Sequence, residues 1–89
     1  MKAVVTVTGK DSVGIIAKVS ALCAEYNANI IDITQSVLSE YFAMIMLVDL
    51  DACPLPFHEL QNWLHEKGQE RLLDIHIQRS DIFEAMHRI

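Results

Sequence analysis

The segment Tyr41–Leu50 reads YFAMIMLVDL, and nearly every position in it is apolar. Side chains alternate in direction along a strand, so Phe42, Met44, Met46 and Val48 share one face while Tyr41, Ala43, Ile45 and Leu47 share the other. A strand that is apolar on both faces belongs inside a sheet, with cover on both sides. The rest of the chain must supply its neighbours and that cover.

Lys2–Thr8 alternates in the same way, with Ala3, Val5 and Val7 on one face, and is expected to be the first strand. Gly9-Lys10-Asp11-Ser12 breaks the pattern, and Asp11 or Ser12 can cap the helix that follows. From Val13 to Tyr26 the spacing is helical. Ile15, Val19, Leu22 and Tyr26 lie on one stripe with Ile16 and Cys23 beside it, and Asn27 suits a left-handed stop. Ile30–Leu38 reads as a strand joined to Tyr41–Leu50 through a tight connection at Ser39-Glu40. After the loop Asp51–Leu55, Pro56 suits the first turn of a second helix with a stripe of Phe57, Leu60, Trp63 and Leu64, stopped by Gly68. Leu72–Arg79 is a strand with Leu73, Ile75 and Ile77 inward and Asp74, His76 and Gln78 outward, a polar face that fits a sheet edge. Ser80 is expected to cap a short terminal helix carrying Ile82, Phe83, Met86 and Ile89, with Asp81 and Glu84 near its positive end and Arg88 near its negative end.

The order β-α-β-β-α-β implies an α+β, ferredoxin-like fold: a four-stranded antiparallel sheet with two helices on one face, plus a short C-terminal helix. Residues 1–79 form the expected domain and 80–89 the helix, packed on the domain or on a partner copy. Two helices cover one face only, yet Tyr41–Leu50 is apolar on both. Leaving three or four large side chains in water forgoes about 1.5–3 kcal/mol each, comparable to the net stability of a small domain. A homo-oligomer is the simpler expectation, a dimer or a tetramer built from dimers.

Composition narrows the function. Eighty-nine residues make one domain. The formal charge of -5 and the absence of any basic cluster argue against nucleic acid, whose phosphates demand grouped Lys and Arg. No apolar run is long enough to cross a bilayer, and the strand-like start does not resemble a signal peptide, so a cytoplasmic location is the default expectation. Two cysteines do not make a disulfide scaffold; Cys23 falls on a helix stripe as a small hydrophobe and Cys53 precedes Pro54 in a loop.

The turn Gly9-Lys10-Asp11-Ser12-Val13-Gly14-Ile15-Ile16 carries most of the functional information. Backbone N–H groups at a helix start favour an anionic group such as a carboxylate, and Gly14 permits close approach. The plainer account is that both glycines only shape a tight turn. A phosphate loop is excluded, because Ile15-Ile16 stands where Lys-Ser/Thr is required.

Thr8–Ile16, followed by Asn27-Ala28-Asn29-Ile30, resembles the signature of the ACT domain family over nearly the whole chain. Asp32-Ile33-Thr34-Gln35 and Phe42–Asp49 bring the resemblance closest to the small stand-alone ACT proteins, and the first turn is similar to the ACT regions of formyltetrahydrofolate deformylase and the glycine-cleavage repressor. The resemblance implies a regulatory module binding an amino acid or similar small ligand at a homodimer interface, where the first turn of one copy faces the start of the second strand of the other. It carries the ligand site onto Gly9, Lys10, Asp11, Ser12, Val13, Gly14 and Ile15 from one copy, and onto Asn29 and Ile30 from the other. Asn29 supplies an amide that can donate and accept, which suits a zwitterion; it can equally serve only the backbone after the helix. Gly9 stands where relatives can carry a polar grip, and Ser12-Val13 replaces an Arg-Pro, departures that touch the ligand and leave the fold intact.

Metal and catalytic sites find less support. His58 and His65 lie on one helix face but about 10 Å apart along the axis, too far for one ion. His76 and His87 show no pairing in sequence, and solvated surface is the reading taken for all four, with no metal or cofactor expected. Asp49 and Asp51 can be paired carboxylates or strand-end charges, and no serine has a neighbouring base, so no enzyme activity is expected. Two other classes stay open: a pure protein-interaction module, and a small ferredoxin-like enzyme with a pocket inside one subunit.

Overall fold

The computed structural model describes residues 1–10 and 13–86, without the side chains of Ala85 and Met86. The expected capping by Asp11 or Ser12, and the expected places of the Met86 side chain, His87, Arg88 and Ile89, lie outside the described residues. Seven elements follow one another: β1 (Lys2–Lys10), α1 (Ile15–Glu25), β2 (Asn29–Leu38), β3 (Tyr41–Asp49), α2 (Phe57–Glu70), β4 (Leu73–Arg79) and α3 (Ser80–Met86). The strands form one antiparallel sheet in the order β2-β3-β1-β4, the ferredoxin-like βαββαβ arrangement with a short terminal helix.

The alternation that placed Tyr41–Leu50 inside the sheet holds. β3 pairs with β1 on one side and β2 on the other, and Phe42, Met44, Met46 and Val48 are buried. They pack with Ala3, Val5 and Val7 of β1, with Leu73, Ile75 and Ile77 of β4, and with the inner stripes of α1 (Ile15, Val19, Leu22, Cys23) and α2 (Leu60, Leu64). Tyr26 and Trp63 join the two helices edge to face, with ring centroids 4.7 Å apart. Ile16, placed beside the α1 stripe by periodicity, is exposed.

Two glycine expectations are corrected. β1 does not break at Gly9: it runs to Lys10, with Gly9 opposite Phe42 of β3 and Leu73 of β4. A Cβ there would sit 3.0 Å from Leu73 Cδ2 and 3.2 Å from the Leu72 carbonyl oxygen, so glycine answers a close approach by the start of β4. Gly68 does not stop α2. It is buried inside the helix, where a Cβ would meet Ile75 Cγ1 and the Leu73 carbonyl oxygen at 2.8 Å each. The helix ends at Glu70, and the chain reverses through Leu72, which is held at φ 59°. Asn27, at φ 58°, does terminate α1 as expected. Pro56 stands one position outside α2, where its carbonyl accepts from the N–H groups of Glu59 and Leu60.

The second face of the sheet is only partly covered. α3 lies against β1 and β4, and Phe83 shares a hollow with Val4, Thr6, His76 and Gln78. Val4, on the face away from α1 and α2, is consequently only 7% exposed. Tyr41 (57%) and Ile45 (47%) remain open to solvent. Their registered neighbours are Thr6 and Lys10 on one side and Thr34 and Leu38 on the other. On this face the uncovered apolar surface is thus a column about one strand wide, flanked mostly by polar side chains, while on the helix-covered face Ile33 and Val37 of β2 are open as well.

Candidate functional site

Gly14 sits at the N-terminal boundary of α1 in the left-handed region, at φ 82°, and no side chain among the described residues caps the helix. The first helical bond runs from Lys18 N–H to the Gly14 carbonyl, so the N–H groups of Ile15, Ile16 and Ala17 have no partner within the helix. The first turn carries no acidic side chain to compete for them. Beside this helix start lies a hollow of about 540 Å³, lined by Gly14, Ile15, Ile16, Ala17, Gln35, Ser36, Val37 and Phe42. Among the described residues its lining has no titratable side chain. It offers apolar contact, one amide, one hydroxyl and the positive end of a helix, a combination that suits a small molecule with a carboxylate.

Asn29 and Ile30 lie elsewhere. With Ser20, Ala24, Asn27, Ala28 and Ala52 they line a second hollow of about 520 Å³. Asn29 is registered with Asp49 at one end of β3, whereas Gly9 is registered with Phe42 near the other. Within one copy the two halves of the expected site are therefore roughly 20–25 Å apart along the strands. Of the remaining expected residues, Gly9 lines a third hollow with Thr8, Ser36, Leu38, Tyr41, Phe42 and Ala43, Lys10 and Val13 are exposed, and Asp11 and Ser12 lie outside the described residues.

The sheet edges differ. Along β4, Gln61 of α2 reaches the edge and donates its side-chain N–H to the Ile77 carbonyl at 3.1 Å. Along β2, every residue from Ile31 to Leu38 is exposed, Val37 by 54% and Leu38 by 77%, and no strand among the described residues pairs with its outer side. Backbone N–H and C=O groups on such an edge are a template for another strand. β2 carries no Pro and no Lys to blunt it, and its one charge, Asp32, and the register irregularity between Ile30 and Asp32 are confined to its first half.

Several side chains singled out by type have structural roles. Asp49 accepts from the Asp51 N–H at 2.9 Å, and Asp51 pairs with the N-terminal ammonium. That ammonium is the main reason the Asp51 carboxyl is held below its ordinary range. Cys23 is buried, and desolvation pushes its thiol up to about 11. Cys53 is half-buried against the core. One cluster has no counterpart in the sequence pattern: His65 of α2 meets Asp74 and His76 of β4 at the exposed sheet edge. Their separation along the chain has no period that would show it.

Comparison with known proteins agrees with this geometry. The family model for the ACT domain matches residues 2–78. A UPF0237 protein from Listeria innocua is 47% identical over 89 residues, covering all of both chains. An ACT domain protein from Streptococcus pneumoniae superposes with a TM-score of 0.84 at 47% identity, covering 98% of each chain. A formyltetrahydrofolate deformylase from Pseudomonas syringae is similar at a TM-score of 0.77 and 25% identity, over 88% of this chain and 27% of that one. A putative glycine cleavage system transcriptional repressor shares the fold at a TM-score of 0.72 and 24% identity, over 86% of this chain and 44% of that one. No helix among the described residues is long and apolar enough to cross a membrane. The chain belongs to the ACT domain family and to the UPF0237 group of small proteins.

Proposed function

We propose that this protein is a regulatory module of the cytoplasm that binds an amino acid or a closely related small carboxylate where two copies meet along β2. The observation that carries the reading is the open β2 edge beside a helix start whose first N–H groups have no partner within the helix. Two identical strands paired antiparallel about a twofold axis match position i with position j at a constant sum. A register centred on β2 therefore sets the Asn29 end of one copy beside the Val37–Leu38 end of the other. Asn29 and Ile30 of the second copy then adjoin the hollow lined by Gly14, Ile15 and Gln35. The helix start receives the carboxylate, and the Asn29 amide accepts from the ammonium. A ligand held by both copies shifts the geometry or strength of pairing, and through that a partner or a linked activity.

Light scattering after size exclusion, together with thermal unfolding across the standard amino acids at millimolar concentration, tests the reading. The expected result is a dimer at micromolar concentration whose melting temperature rises with one ligand class by mass action. Asn29→Ala is expected to abolish that rise while leaving the melting temperature of the free protein unchanged. A monomer removes the site together with the contact that builds it. A dimer indifferent to every amino acid leaves an interaction module instead.

A further inference from the structure

At the opposite edge of the sheet, His65 of α2 and Asp74 and His76 of β4 bring one ligand atom each to within 4.8 Å of one another. Among the described residues this is the single group of three such side chains. His76 Nε2 lies 2.9 Å from Asp74 Oδ1, and the His65 and His76 rings are 5.8 Å apart at a tilt of 44°. The fold fixes this meeting from two directions. Asp74 and His76 are two apart on β4 and so point to the same side of the sheet. His65 follows Gln61 by one helical turn on α2, and Gln61 is itself anchored on the Ile77 carbonyl.

We propose that His65, Asp74 and His76 form a binding site for a divalent transition-metal ion of the zinc type. Imidazole nitrogen and carboxylate oxygen bind such ions at about 2.0–2.2 Å, which sets neighbouring donors of a four-coordinate ion roughly 3.4 Å apart. One pair, His76 Nε2 and Asp74 Oδ1, stands closer than that at 2.9 Å, and all three donors lie within 4.8 Å of one another. All three side chains are exposed, so small rotations close the remaining gap at little packing cost. The ion takes the place of the proton between His76 and Asp74, and its fourth position is left to water or to a group from another molecule. Two imidazoles select zinc, nickel, cobalt or copper over magnesium and calcium, which prefer oxygen. Once bound, the ion ties α2 to β4 across the sheet edge.

Isothermal titration of the tag-free protein with Zn2+ tests the site, with magnesium as the control cation. One saturable zinc site per chain is expected, and no magnesium site. Loss of a supporting group outside a metal's own ligands typically costs about 10- to 100-fold in affinity. Removal of a ligand in His65→Ala or His76→Ala is therefore expected to cost at least about tenfold. His58→Ala, about two helical turns from His65 along the same face of α2, is expected to leave binding unchanged. Binding that survives both His65→Ala and His76→Ala, or the absence of a saturable site, overturns the assignment. Because these residues lie across the sheet from β2, the outcome is independent of the ligand and dimer tests above.

Discussion

Gly68→Ala gives the sharpest test of how α2 is seated on the sheet. Inside an exposed helix this change stabilises by about 0.5–1 kcal/mol, since alanine loses less backbone entropy. Here the new methyl carbon would stand 2.8 Å from Ile75 Cγ1 and 2.8 Å from the Leu73 carbonyl oxygen, against about 3.5–4.0 Å for carbon contacts at rest. Ile75 can rotate, but the carbonyl belongs to β4 and cannot. α2 must withdraw, loosening Leu60 and Leu64 from Leu73, Ile75 and Ile77. Overpacking of this kind costs about 1–3 kcal/mol. Less the gain in helix propensity, a net loss of about 0–2.5 kcal/mol is expected, centred at about 1 kcal/mol, which at that centre lowers the melting temperature by roughly 4–8 °C in a domain of this size. Calorimetry or circular-dichroism melting reads it directly. A melting temperature that rises by a few degrees would refute the close approach and return Gly68 to the role of a simple helix terminator.

Gly14→Ala is expected to destabilise by about 1 kcal/mol although nothing lies within 4 Å of the added Cβ, because the cost is the left-handed backbone at φ 82°; denaturant unfolding with an unchanged slope checks it. Cys23 supplies a pH dependence. Its folded-state pKa of about 11 stands above the ordinary 9.0, so the unfolded chain releases the proton first. The associated stability is fully present below pH 9 and is lost towards pH 11, by about 3 kcal/mol in order of magnitude. The wild type should therefore lose melting temperature more steeply than Cys23→Ala over that interval, and parallel slopes would contradict the assignment. The same burial implies that a thiol reagent at pH 8 labels Cys53 well before Cys23 in the native protein, which mass spectrometry resolves.

What the sequence discloses follows the range of the interactions involved. The alternation of Phe42, Met44, Met46 and Val48, and the stripe of Val19, Leu22 and Cys23, are local patterns with a fixed period, and both read through to the buried core. Asn27 was legible as a stop because it follows a run of helical spacing and is a residue that tolerates the left-handed backbone. Gly9 and Gly68 were misread for one shared reason. A glycine required by a close neighbour looks the same in sequence as one required by a turn, and the neighbours, Leu72 and Leu73 for Gly9 and Leu73 and Ile75 for Gly68, come from β4 or the turn into it. The convergence of His65 with His76, and the separation of Gly14 from Asn29 within one copy, are likewise products of strand order.

The two unlike sheet edges have a consequence for assembly as a problem in polymer chemistry. A monomer with two reactive ends grows into a chain; a monomer with one is a terminator. Gln61 engages one carbonyl on the β4 side, that of Ile77, whereas no strand among the described residues pairs with the outer side of β2, so the two ends differ in how available they are for backbone pairing. Joining two copies through β2 uses the more available end of each, so pairing is favoured over growth into longer chains.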